Sequence, residues 1–438
     1  LRKYLILIVA SVFLGTEILA IPTPVAQITM YRLLVIGMIA IFGYQILKQD
    51  PNIKIIPSNT ATVITGIYLF WWAWGAVSVI WTIDMMNWFQ AMFLLTLGVS
   101  SVVGLYLWTN DLITWKALIK TVWIMMTFLA LWGFYEILTN HYIFANLEAL
   151  DKNNTFATQP SSRIPVATFT NQNDYATLLL AYLPVNLIML NLNRHPIRRY
   201  LYIIPILLTA YLIYRSDSRM ILLSFVLFFF MVILLQFNWD IKRKYVLSAI
   251  GIGLALTVGL ILFVPSLNDM VSQLFYLGGD FYNTGDSRRM NLWRNGLLFL
   301  AETFGFGVGA GNIETWMDML PFLPIDEFTN IHNWWLEILV GYGVIVFVLY
   351  AISYGLLIQA LNRLRHHESK VIRQIAISFK SFLVVYIFAS ITSANNMLIE
   401  WHWVYFGIMI SFVKVMEMKN VSKPKRMRYE YEFSNNNK

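Results

Sequence analysis

No cysteine occurs anywhere in the 438 residues. Disulfide frameworks, cysteine zinc sites and thiol nucleophiles are excluded at once. Charge is scarce as well: Asp, Glu, Lys and Arg make up 13% of the chain, against roughly 25% in a soluble domain. No Asp-x-Asp pair is present to mark a nucleotide-sugar metal site on an outer face. No stretch shows the ~10-residue alternation of a transmembrane barrel. No internal repeat marks an inverted-repeat transporter.

What is there is apolar. Hydrophobic residues reach 58% and the mean hydropathy is +0.60. The apolar residues gather into runs of roughly 20, the length that crosses a bilayer as a helix. The fold class expected is an all-α polytopic membrane protein. Spans are expected at 4–21, 26–47, 60–82, 87–107, 115–138, 174–192, 199–214, 218–236, 244–264, 333–360, 374–391 and 398–416, about twelve in all. The stretch from Arg2 to Ile21 resembles a signal peptide but lacks a small-x-small cleavage site, so it is read as a retained first helix.

The net charge of +8 follows the loops. Arg2 and Lys3, Lys48 and Lys54, Arg194, Arg198 and Arg199, Lys242 to Lys244, Arg363 to Arg373 and the tail from Lys419 to Arg428 all fall on one side of the predicted spans. The positive-inside rule makes that side, and both termini, cytoplasmic. Basic residues in short loops therefore point to membrane orientation, and nucleic acid is not an expected partner. The tail 417–438 reads as a basic cytoplasmic end near anionic lipid. Trp71, Trp72, Trp401 and Trp403 read as an interfacial aromatic belt.

Two long segments then face outside, 139–173 and 265–332. The chain divides into spans one to nine (1–264), a large outer loop (265–332), spans ten to twelve (333–416) and the tail. The first outer segment carries RIPVATFTNQND at 163–174, a capped re-entry into the membrane that also holds Arg163. The turn between spans seven and eight, SDSRM at 216–220, is flanked by Arg215 and contains Arg219. Both Arg break the positive-inside pattern, and charge at membrane depth is costly without compensation.

The large outer loop concentrates the chemistry. Asp286 or Ser287 can cap a helix beginning near Arg288. Met290, Trp293, Leu297 and Leu300 give that helix one apolar face, which is expected to lie along the bilayer surface. Arg289 sits one turn before Trp293, whereas Arg288 and Arg294 point elsewhere. GFGVGAGN at 305–312 allows tight turns. Without a βαβ unit around it, its GxGxG is no dinucleotide site. His332 and Asn333 follow at the mouth of span ten, with Asn333 or Glu337 placed to orient the imidazole. Of the six His, only His141, His332 and His402 reach the outer side, and His332 has the polar neighbours that suit acid/base work.

These pieces resemble the O-antigen ligase and O-antigen polymerase superfamily: RIPVATFTNQND, SDSRM, RMNLW at 289–293, GFGVGAGN, and HNWWLEILVGYG at 332–343. The pieces are short, but their order before the tenth span is distinctive, and they cover about half the chain. Ser-Arg-Met stands where Ser-Arg-Gly is common in the family. The resemblance implies a bacterial cytoplasmic-membrane glycosyltransferase of polysaccharide assembly, with its active site on the outer face. Its donor would be an undecaprenyl-diphosphate-linked glycan and its acceptor a sugar hydroxyl, with other polysaccharide-assembly proteins as possible partners. It implies catalytic roles for Arg219, Arg289 and His332: two Arg on the lipid diphosphate, and His as base. Arg288, Arg215, Arg163 and Asn333 are candidate substrate-binding residues. Neither metal nor cofactor is expected, because Arg can bind a diphosphate bidentately. No carboxylate stands out as a nucleophile, so single displacement with inversion is expected. A polymerase joining repeat units is the favoured reading, and a ligase moving finished glycan to another carrier is the alternative. A lipid-linked oligosaccharide flippase is a rival from another class, with Glu17 and Arg32 as its few charged candidates. A scaffold protein would leave the outer Arg and His residues unexplained.

Overall fold

The computed structural model describes residues 1–15, 18, 20–23, 27–48, 59–151, 154–193, 195, 197–237, 285–325, 329–391 and 399–421. The predicted span 244–264, the start of the large loop, Glu17, Lys54, Arg194, Lys242 to Lys244 and the tail beyond 421 lie outside the described residues.

Among the described residues the secondary structure is helical throughout, apart from one isolated bridge between Ile21 and Ile28. The helices are α1 (Arg2–Ser11), α2 (Met30–Leu47), α3 (Thr60–Val77), α4 (Met85–Trp108), α5 (Leu112–Thr139), a single turn α6 (Leu147–Leu150), α7 (Gln172–Leu192), α8 (Ile203–Arg215) and α9 (Arg219–Gln236). Beyond the undescribed stretch come α10 (Gly285–Glu302), α11 (Ile313–Met319), α12 (Trp334–Leu364), α13 (Lys370–Ala389) and α14 (Glu400–Val421). Thr29, Asn59, Asp84, Asp111, Asn171 and Asn333 cap α2, α3, α4, α5, α7 and α12 with side-chain oxygens that accept first-turn N–H groups. These six caps explain why those six apolar runs begin where they do.

Among the described residues, eight helices are long and apolar enough to cross a membrane: α2, α3 with its 3₁₀ end, α4, α5, α7, α9, α12 and α13. The run predicted at 199–214 is a composite. Its α-helical part has 13 residues, and a five-residue 3₁₀ stretch (Arg198–Tyr202) precedes it. At about 1.5 and 2.0 Å per residue, the two together reach about 30 Å, the thickness of the hydrocarbon core. The first run is shorter than expected: ten α-helical residues followed by a 3₁₀ turn, Val12–Leu14. α12 is bent at Gly343, where φ is 83° and ψ 175°.

α14 is the central helix. It packs on α3, α4, α5 and α12, and its residues 401–416 are buried throughout. It carries charge because its charges have partners. Lys414 donates to the carbonyls of Tyr106 and Leu107 and to Asn110 Oδ1, closing the C-terminus of α4. Glu400 pairs with Arg32, which also donates to the Gln27 carbonyl. Arg32 is thus a structural ion pair near one end of the bundle.

The expected aromatic belt is largely an aromatic core. Trp71, Trp401 and Trp403 are 1%, 4% and 2% exposed, and only Trp72 faces outward. Trp71 packs within 6 Å of the rings of Trp334, Tyr342, Tyr350 and Trp403. Wide indole and phenol faces fill the space between bundle helices as well as they fill an interface, and hydropathy does not distinguish the two.

Contacts between helix ends assign each end to one of two faces. Arg363 Nη2 to Thr60 Oγ1 at 2.8 Å and the Gln236–Gln374 pair at 2.9 Å join one face. Trp81 to the Gly307 carbonyl at 3.0 Å and the Trp334 amide to the Ser390 carbonyl at 3.1 Å join the other. Lys48, Arg198, Arg199, Arg363, Arg365, Lys370 and Arg373 sit at helix ends on the first face. Arg215, Arg219 and His332 sit at helix ends on the second.

Candidate active site

The second face is built around a strap and a turn. The strap, 305–312, follows α10. Its four glycines all take left-handed φ values, between 70° and 95°. The Val308 and Gly309 amides donate to the Val340 and Gly341 carbonyls, and the Val344 amide donates to Gly305. A Cβ on Gly307 would sit 2.5 Å from the Gly343 nitrogen, and one on Gly343 would sit 2.4 Å from the Phe306 oxygen. The glycines thus let two backbones interlock at the bend of α12. On its other side the strap docks on the α3–α4 turn. Asn312 Oδ1 accepts from the Asp84 amide at 2.7 Å, and the Ala310 amide donates to Ser78 Oγ at 3.1 Å. The GxGxG is therefore a structural joint.

α10 lies against this joint through Leu292, Asn295, Gly296 and Phe299, all buried. The face that packs on the protein is distinct from Met290, Trp293, Leu297 and Leu300, the apolar face expected at the bilayer surface, and Leu297 is 49% exposed. The reason is a second small core. Leu292 and Phe299 pack with Val308, Met317, Ile331 and Val340, so α10 answers to the strap, α11 and α12. Gly296 permits the approach, since a Cβ there would meet Ile331 Cδ1 at 2.7 Å. Asn295 pins the following loop by donating to the Leu323 carbonyl and accepting the Phe322 and Leu323 amides.

The turn is 330–333. Trp293 Nε1 donates to the Ile331 carbonyl at 2.9 Å, tying α10 to the turn one residue before the histidine. The His332 amide donates to Asn330 Oδ1 at 2.8 Å. His332 itself has φ 47°, a left-handed value that is strained for a side-chain-bearing residue. Arg289 lies one helical turn before Trp293, so the tie at Trp293 brings Arg289 to the same place. The two side chains interact: burial first, and the Arg289 charge second, hold the His332 imidazole below its ordinary value. Arg289 is half-buried and makes no hydrogen bond or ion pair with a described residue. Nor does the His332 ring. A cation thus acts on a base, with neither engaged by a described residue.

Arg219 opens α9 on the same face and is exposed, again with no partner among the described residues. α13 packs against both α9 and α12, so its end separates Arg219 from His332. Arg215 and Arg163 are placed differently. Arg215 donates to the carbonyls of Pro160 and Arg163 at 2.7 and 2.8 Å and to Tyr211 Oη. Arg163 donates to the carbonyls of Phe156, Ile137 and Leu138, closing the end of α5. Both guanidiniums hold the 139–173 segment to helix ends. Asn333 is the cap of α12, its Oδ1 accepting from the Trp335 and Leu336 amides. The side chains of Asp286, Ser287 and Arg288 lie outside the described residues.

The other histidines sit elsewhere. His402 is buried among Trp334, Tyr386 and Phe406, and His141 is exposed beside Tyr135. Sequence reasoning passed over Glu136. This buried carboxylate accepts the Val166 and Ala167 amides at 2.9 Å each and so anchors the segment that holds Arg163. A lone Glu inside an apolar run was its only signal. Among the described residues, no group of three or more His, Asp or Glu is placed to hold a metal ion.

Residues 204–351 match the family model described as O-Antigen ligase. That span runs from α8 past the bend of α12 and includes Arg215, Arg219, Arg289 and His332. Teichuronic acid biosynthesis protein TuaE of Bacillus subtilis (strain 168) is 26% identical over 426 residues, covering 94% of this chain and 83% of that protein. No solved structure matches the chain. A helical membrane fold with these two likenesses supports a membrane enzyme of polysaccharide assembly. Within that class, the likenesses support the O-antigen ligase and polymerase superfamily.

Proposed function

We propose that the protein is a glycosyltransferase of the bacterial cytoplasmic membrane that takes glycan from undecaprenyl diphosphate and joins it to a sugar hydroxyl, polymerising repeat units of a cell-surface polysaccharide. The observation that carries this reading is the pairing of Arg289 with His332 beside the strap. The TuaE likeness supports a role in making such a polysaccharide. The basic helix ends on the opposite face support an outward-facing site, because positive loops are retained in the cytoplasm.

The chemistry follows from the pair. The acceptor hydroxyl attacks the anomeric carbon of the donor. A new C–O bond forms as the bond to the diphosphate breaks, and the configuration inverts. His332 takes the hydroxyl proton, and the bond's electron pair leaves on the diphosphate oxygen. Arg289 stabilises that growing charge, with Arg219 opposite it across the end of α13. An imidazole held below its ordinary pKa is neutral at neutral pH, as a proton acceptor must be. Asn333, Arg163 and Arg215 shape the rim on which the substrate rests.

A ligase is the second reading, favoured by the description of the matching family model. Purified protein supplied with lipid-linked repeat unit alone separates the two. A polymerase yields a ladder of products. A ligase yields none until a second carrier is added.

A further inference from the structure

A cavity of about 270 Å³ opens between α4, α11 and the start of α12. It shares the 330–332 turn with the Arg289–His332 pair but lies against other helices. Asn330, whose Oδ1 holds the His332 amide, lines it, as does Ile331. Its polar lining is amide and carboxylate: Asn87, Gln90, Glu314, Asn330 and Glu337. Among the described residues, no Lys or Arg lines it. Glu337 is 8% exposed, and Tyr342, at 4%, adds an aromatic ring to the wall. Gln90 makes no hydrogen bond to a described residue.

We propose that this cavity binds one uncharged sugar unit, the acceptor end of the glycan, with its hydroxyls read by Gln90, Asn87 and Glu314. The inference rests on the glycosyltransferase reading for the word acceptor, but not for the sugar. Carboxylates and side-chain amides accept from and donate to hydroxyl groups in the directions a sugar ring presents. An aromatic wall covers the ring's C–H face. With the Glu314 carboxylate on the wall and no Lys or Arg among the described lining residues, the cavity disfavours phosphate and uronate alike, so the diphosphate belongs with Arg289 across the turn. The volume suits one ring and excludes a whole lipid-linked unit. The division is simple: a cationic side for the leaving group, an uncharged-sugar side for the attacking hydroxyl, and His332 on the turn they share.

The test is saturation-transfer NMR on the detergent-purified protein with three probes: the methyl glycosides of glucose, N-acetylglucosamine and glucuronic acid. At least one of the two uncharged glycosides should show transfer, and the glucuronide should show none. Gln90→Leu should lose the signal, whereas Arg289→Ala and His332→Ala should keep it. In a transferase assay with lipid-linked repeat unit, Gln90→Leu should raise the acceptor KM about five- to ten-fold with kcat nearly unchanged, the signature of a lost binding contact. Binding of the glucuronide, displacement of an uncharged sugar by inorganic pyrophosphate, or no binding by any probe overturns the proposal. So does full binding by Gln90→Leu. Sugar binding that depends on Gln90 in a protein without transferase activity would leave the cavity assigned and remove the glycosyltransferase reading instead.

Discussion

His332 and Arg289 are joined by two physical facts, the Trp293 tie to the Ile331 carbonyl and the electrostatic pressure of one side chain on the other. The second has a consequence in solution. A base works only when deprotonated, so activity should fall on the acid side as His332 protonates. Because burial and Arg289 both depress its pKa, that acid limb should lie below the ordinary imidazole value of about 6.5. Arg289→Lys keeps the charge and should leave the limb in place, while only partly restoring turnover for want of the planar fork. Arg289→Ala removes the charge. Its residual activity should show the limb moved to higher pH, and an unmoved limb would mean the pair is not coupled. Arg289→Ala should also reduce turnover far more than Arg288→Ala. The reverse ranking would place the wrong guanidinium on the diphosphate. The sequence singled out Arg289 through its four-residue spacing to Trp293, and its role on the diphosphate is what these variants test. The engagement of Arg163 and Arg215 with backbone carbonyls was not, because a free Arg and a helix-closing Arg look alike in a string of letters.

The decisive element is the strap of glycines. Gly307→Ala should disrupt the site from a distance. The new Cβ meets the Gly343 nitrogen at 2.5 Å and the Val340 oxygen at 2.8 Å, and φ is +83°. A left-handed conformation alone costs about 1–2 kcal/mol. The melting temperature in detergent should drop, and activity with it. Gly355→Ala is the control: nothing lies within 4 Å of its Cβ position, and it sits inside α12. There the exchange should be neutral or stabilise by up to about 1 kcal/mol. Equal losses in the two variants would show that the strap is no special joint. The limits of the sequence are clearest in these elements. Helix positions were legible because most apolar runs are long, and six of the helices start at a Thr, Asn or Asp cap. The face of α10 that packs on the protein was not legible, because its partners come from the strap, α11 and α12, and a helical wheel holds no record of partners. The bend at Gly343 went unseen for the same reason. The bend accommodates the crossing backbone of Gly305 and Phe306.

For the whole molecule, the claim is one of sidedness. The absence of cysteine makes it directly measurable. Ile325→Cys should react with an impermeant thiol reagent applied to intact cells, and His195→Cys should react only after the membrane is opened. The opposite pattern would put the Arg289–His332 face in the cytoplasm. Transfer by this face should also survive exhaustive chelation, since Arg can do the phosphate work. Loss on chelation with recovery on added magnesium or manganese would require a metal instead. The central claim is the division of labour between the two side chains, and one paired measurement tests it most directly. Donor binding and single-turnover rate are measured on the same preparations of His332→Ala and Arg289→Ala. His332→Ala should bind lipid-linked donor nearly as the parent does and transfer about a hundred- to ten-thousand-fold more slowly. Arg289→Ala should lose donor binding as well as rate. A His332→Ala protein with near-normal turnover, or one that binds no donor, would contradict the account.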